Sequence, residues 1–138
     1  MAVDLGDART GLAVCDSTEF LASPVGVINE KDNMKILTSV AAASKEYAVK
    51  QIVVGLPLNM DGTKGERAEK AELFAKRLEK ISGIPVVMWD ERQTTLEANI
   101  ILNDTDTRGK KRKKVIDAVA ATIILESYLS YRKNTYKG

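Results

Sequence analysis

Apolar positions along this chain fall first into short extended runs, and later alternate between such runs and helical stripes. Residues 3–5 and 10–15 read as the two strands of a hairpin, with Gly6-Asp7-Ala8-Arg9 as its turn. Residues 20–28 continue as a third extended segment, where Pro24 and Gly26 mark an edge strand or a bulge. Asp32 stands where it can cap a first helix, with Ile36, Val40, Ala43 and Tyr47 on one face and Leu37 at its border. Residues 51–55 form a short apolar run of the kind buried in a parallel sheet. A loop over 56–62 follows, and then Thr63 and Glu66 at capping-box spacing predict a second helix ending near Ser82-Gly83. Residues 85–89 predict a fifth strand. Thr94 and Glu97 repeat the capping spacing ahead of a short helix reaching Leu102. The polar, basic stretch 103–114 reads as a loop, and a last helix runs from about Lys114 to Tyr131. One mixed five-stranded sheet with helices on both faces accommodates this order, an α/β chain with a single domain over residues 1–138.

Composition narrows the chemistry. A chain of 138 residues buries roughly 68–70% of its unfolded surface, enough for a core without staples. Cys15 is the sole cysteine and there is no histidine. Intramolecular disulfides, zinc sites of the Cys/His kind and Ser-His-Asp triads are therefore excluded. Cys15 itself reads as a small buried hydrophobe. Any metal must be held by oxygen, which points to Mg²⁺ or Mn²⁺. No leader pattern follows Met1, and the apolar stretch 115–125 is broken by Asp117 and too short to span a bilayer. A cytoplasmic protein with no membrane partner is expected.

Net charge is only +2, yet residues 108–138 hold nine basic against two acidic side chains. Arg108, Lys110, Lys111, Arg112, Lys113 and Lys114 fall within seven positions. Such a block suits a polyanion, although a solvated loop would look the same.

The acids are more specific. Asp4 lies between Val3 and Leu5, where desolvating a charge costs several kcal/mol unless something compensates. An acid at the frayed start of a first strand is the bland alternative. If the strands ending near Leu5, Gly55 and Trp89 are parallel neighbours, their carboxyl ends share one rim, where ligands gather in open α/β sheets. Asp4 and Glu91 then meet there. Helical steps back from Tyr128 through Ile124, Ala121 and Ala120 reach Asp117, which puts a third acid on the sheet-facing stripe. Three carboxylates at ~4 Å would repel by about 4 kcal/mol per pair at an effective dielectric near 20. A divalent cation relieves that repulsion; otherwise one acid keeps its proton. Asp61 is a reserve ligand within a turn signal, and Asp90 reads as a hydrogen-bonding partner. Arg9 and Arg92 adjoin the acids and could bind phosphate or pair with carboxylates. Trp89 reads as core.

Four segments carry a resemblance to a known family. They are Asp4-Leu5-Gly6-x-x-Arg9-Thr10-Gly11-Leu12-Ala13, Val54-Gly55-Leu56-Pro57-Leu58-Asn59-Met60-Asp61-Gly62-Thr63, Asp90-Glu91-Arg92-Gln93-Thr94-Thr95 and Lys113-Lys114-x-x-Asp117-Ala118-x-Ala120-Ala121. In this order they resemble the signature blocks of the YqgF/RuvX family across nearly the whole chain. The resemblance implies a ribonuclease H-like fold and a metal-dependent nuclease, with members described as Holliday-junction resolvases or as nucleases maturing pre-16S rRNA. Carried over by motif, Asp4, Glu91 and Asp117 are the catalytic and metal-binding acids. Arg9, Asn59, Arg92 and the 108–114 cations become the nucleic-acid contacts. The family's first strand usually holds more residues before its aspartate than Met1-Ala2-Val3, and related resolvases place a further acid where Gly55-Leu56-Pro57 stands here. The expected partner is structured RNA or branched DNA, bound by a monomer or weak homodimer. Two readings from other classes remain at this point: an actin-like ATP-binding protein, and a non-catalytic RNA-binding factor of ribosome assembly.

Overall fold

The computed structural model of the chain describes residues 1–6, 8–15, 22–91 and 109–136, with side chains in the last segment from 119 to 132. Five strands, β1 (Ala2–Leu5), β2 (Arg9–Cys15), β3 (Ala22–Asn29), β4 (Ile52–Leu56) and β5 (Val86–Asp90), join in one sheet of order β3-β2-β1-β4-β5. The hairpin pairs β1–β2 and β2–β3 are antiparallel, whereas β1, β4 and β5 run parallel. Parallel neighbours need crossover connections, and the helices α1 (Asn33–Glu46) and α2 (Glu66–Ser82) supply them. A third described helix, α3 (Gly109–Tyr136), follows β5. The expected mixed sheet, including the three parallel strands at one rim, is what the chain forms.

Side-chain alternation divides the sheet into two faces. Val3, Ile52 and Val54 pack with Leu37 and Val40 of α1 and with Phe74 and Leu78 of α2. Ala2, Ala13 and Val53 pack on the other face with Ala121, Ile124 and Leu125 of α3. The strand residues beneath α3 are mostly small, so that helix sits close to the sheet. Trp89 and Cys15 join this second layer as partly buried members.

Several local expectations need correction. Asp32 does cap α1, its carboxylate accepting from the backbone N–H of Met34 and Lys35. The buried face, however, runs through Ile36, Leu37, Val40 and Ser44, while Tyr47 is the exposed C-cap. Ser44 can be buried because its hydroxyl donates to the Ala41 carbonyl at 2.7 Å. The capping box at Thr63 does not form. Asp61 is nearer, and its Oδ1 accepts from both the backbone N–H and the hydroxyl of Thr63, so α2 starts after Gly65 instead. Its other end is as expected, with Gly83 left-handed at φ 71°. The edge strand β3 carries its irregularity where Leu12 pairs with Gly26 and Ala13 with Pro24, leaving Val25 as the extra residue. The last helix begins at Gly109 and not at Lys114, so residues 110–114 are helical. Lysine and arginine lose little rotamer freedom in a helix, and no apolar stripe is needed to extend one through them. The short helix expected over 94–102 lies outside the described residues.

Replacing Asp32 by Ala should remove the α1 cap and lower stability by about 0.5–2 kcal/mol. Urea unfolding would show this as a lower midpoint with an unchanged slope.

Candidate active site

Register sets the geometry of the rim. Val3 pairs with Val54, and Gly55 with Trp89, so Asp4, Gly55 and the end of β5 lie in line across three strands. Asp4 shares its face with Ala2, the face covered by α3. Glu91 follows the last residue of β5 and folds back over Gly55. A Cβ at position 55 would come 2.5 Å from Glu91 Oε1 and 2.9 Å from its Cγ. Gly55 is therefore a spacer, and its missing side chain is what lets Glu91 reach Asp4. Gly6 has a comparable duty on the hairpin side, where a Cβ would run into the Arg9 carbonyl.

The carboxyl groups of Glu91 and Asp4 share a hydrogen bond, which requires a proton on one of them. Burial pushes the Glu91 pKa up from 4.5 to about 9, reinforced by that hydrogen bond and by the charge of Asp4. Asp90 adds repulsion, and the nearby Arg67 guanidinium pulls the other way. The pair thus holds one shared proton at neutral pH. Two oxygen-bearing acids held together at this cost form a donor set suited to a hard divalent cation, which would take the proton's place. Among the described residues no group of three such ligands forms.

The third acid expected from sequence, Asp117, has its backbone in α3, four residues before the fully buried Ala121. Tyr128 and Arg132 bond to the side chain of Gln51, just ahead of β4, at 3.0 and 3.3 Å. The start of α3 therefore points toward the opposite, carboxyl ends of the parallel strands. Position 117 is eleven residues before Tyr128, about 16 Å along the helix axis.

Other expected contacts are distributed unevenly. Arg9 opens β2. Asn59 is exposed, and its amide donates to Thr63 Oγ1 at 3.0 Å, so it closes the 59–63 loop. Asp61 is committed to the same loop. Lys110, Lys111, Arg112, Lys113 and Lys114 occupy the first turns of α3, which carry no acid. Arg92 and Arg108 lie outside the described residues. Sequence reasoning missed Arg67, the cation nearest in effect to Glu91. No sequence signal marked it, because Glu66 and Glu69 in the same first turn of α2 already accompany it there.

The raised Glu91 pKa fixes a pH dependence. Between about 4.5 and 9 the native chain holds a proton that the unfolded chain has lost. The contribution of Glu91 to the stability of the metal-free protein should fall as pH rises through that window, being fully present below 4.5. Thermal melts at pH 5 and pH 8.5 should show this decline, and Glu91→Gln should flatten it.

The chain matches the family described as "RuvX: Holliday junction resolvase" over residues 1–131. It is 41% identical over 136 residues to a protein of Caldanaerobacter subterraneus named "Putative pre-16S rRNA nuclease", covering 98% of both chains. Proteins of the same name from Halothermothrix orenii and Listeria monocytogenes are 43% and 44% identical, over 99% and 94% of this chain and 97% and 95% of theirs. Among solved structures, Thermus thermophilus RuvC bound to a Holliday junction superposes with a TM-score of 0.63 at 14% identity, over 96% of this chain and 94% of that one. That likeness establishes the ribonuclease H-like fold. No described helix is long and apolar enough to cross a membrane. With the family matched along nearly its whole length, the chain belongs to the RuvX family of nucleases.

Proposed function

We propose that this nuclease hydrolyses phosphodiester bonds of pre-16S rRNA near its mature 5′ end, in the cytoplasm, with Asp4, Glu91 and Asp117 as its catalytic acids. The observation that carries this reading is the half-buried, proton-sharing contact between Asp4 and Glu91. A fold gains nothing from forcing two acids together out of water, and the contact makes sense as a poised cation site. Asp4 and Glu91, joined by Asp117, would hold Mg²⁺ or Mn²⁺. Such an ion supplies Lewis-acid stabilisation of the phosphoryl oxygens and a water that is nucleophilic at neutral pH.

The chain's own residues do the rest. Asp4, fixed within a strand, gives the site a rigid side, and Glu91 gives up its proton on loading. Arg67 stands close enough to Glu91 to influence its charge, so it can meet a phosphate entering at the rim. The cationic opening of α3 supports a polyanionic substrate on energetic grounds. Lysines and arginines in a first helical turn oppose the dipole, and phosphate groups reverse that penalty. Binding should accordingly weaken steeply with salt.

A second substrate, branched DNA, is favoured by the family's own description. The family assignment selects nuclease chemistry over the actin-like ATP-binding alternative.

The test uses Asp4→Asn and Glu91→Gln with a pre-16S rRNA leader and a four-way DNA junction, each with Mg²⁺ or Mn²⁺. Each substitution should lower the cleavage rate by about a hundredfold or more while the fold is retained. Undiminished cleavage by either variant removes that residue from the mechanism, and the better-cleaved substrate decides between RNA and DNA.

A further inference from the structure

On the face of the sheet opposite the carboxyl pair, α1 and α2 line a cavity of about 190 Å³. Its floor is apolar, with Ile36, Leu37 and Phe74 all nearly inaccessible to solvent. Its mouth is basic: Lys31, Lys70 and Arg77 are exposed there, and Arg67 joins them at the end nearest Glu91. No acidic side chain is among the described lining residues. Leu73, half exposed on the rim, adds an apolar surface beside the cations.

These features select a ligand. Lys31, Lys70 and Arg77, exposed together at one mouth, repel each other, and an anion between them relieves that repulsion. An apolar floor and an exposed leucine suit a flat, weakly polar group attached to that anion. A nucleotide combines both. The volume argues further, since sites for free small molecules run to about 300–1,000 Å³. A smaller cavity suits one residue of a polymer that is anchored elsewhere. The anchor is close by, because Leu5 and Gly6 line the cavity immediately after Asp4, and Arg67 spans from it toward Glu91.

The geometry points to a nucleotide subsite: the cavity takes one unpaired nucleotide of the strand flanking the scissile bond. Its phosphate lies on Lys70, Arg77 and Lys31, and its base against Leu73 and the apolar floor. This deepens the nuclease reading and rests on it. The strand crosses the rim of the sheet, reacting on the α3 face and held on the α1–α2 face.

The test uses the full chain with Lys70→Gln/Arg77→Gln and, separately, Leu73→Ser, all surface positions whose folding is checked by circular dichroism. Affinity for a labelled single-stranded RNA oligonucleotide is measured without divalent metal across a salt series, followed by KM and kcat with metal. The double variant should bind at least tenfold more weakly, and its salt slope should fall by about 0.7 per lost phosphate contact. Leu73→Ser should weaken binding severalfold at an unchanged slope, and both should raise KM with kcat within twofold. Unchanged affinity and slope, with the unsubstituted chain cleaving normally, would overturn the subsite and leave the nuclease reading intact. Displacement of the oligonucleotide by micromolar AMP would overturn it in favour of a free-nucleotide site. An unsubstituted chain that cleaves neither RNA nor DNA would sink the nuclease reading instead, and the binding measurements would then decide the cavity alone.

Discussion

The structure turns on two carboxyl groups that are made to touch while half withdrawn from water. Everything near them serves that contact. Parallel pairing of β1, β4 and β5 aligns their carboxyl ends, the absent side chain at Gly55 opens the path, and the end of β5 delivers Glu91 across it. An alanine at position 55 would occupy the space that the Glu91 carboxyl fills. The energetic penalty of the pair is accepted by the fold and offset by a shared proton, in a form that a cation can exploit.

The architecture separates strength from chemistry. Large aliphatic side chains fill the layer beneath α1 and α2, and small ones line the layer beneath α3. The first layer holds most of the fully buried bulk, while the second keeps α3 near the sheet. Position 117 is brought toward the rim by the same close packing that Ala2, Ala13 and Ala121 permit. The basic residues 110–114 stand in the first turns of this helix, at the same end of the molecule.

Much of this was legible in the residues themselves. Asp4 in an apolar strand marked a charge needing a partner, which the structure supplies in Glu91, and the alternation of runs and stripes gave the sheet and the parallel rim. What failed was local competition. Thr63 had the right spacing for a cap but a nearer partner in Asp61, and spacing says nothing of which acceptor wins. Tyr47 matched the period of α1 but lies past its end, where Ser44 could be buried by bonding its own backbone. The basic run looked like a loop because it has no apolar periodicity, and a helix can extend beyond its packed face. The cavity between α1 and α2 was invisible for a different reason. Its cations come from α2 and from Lys31, just ahead of α1 and far away in sequence, and only the packing of the two helices brings them to one mouth.

The bulge in β3 has a bearing on how the molecule meets its own copies. An outermost strand offers unsatisfied backbone groups along its rim, and a straight one invites another chain to extend the ladder. Here Pro24 contributes no N–H, and Val25 and Gly26 break the regular spacing beside it. That border is a poor template for sheet growth, so a protein with a short, largely apolar sheet is guarded against end-to-end polymerisation from this side.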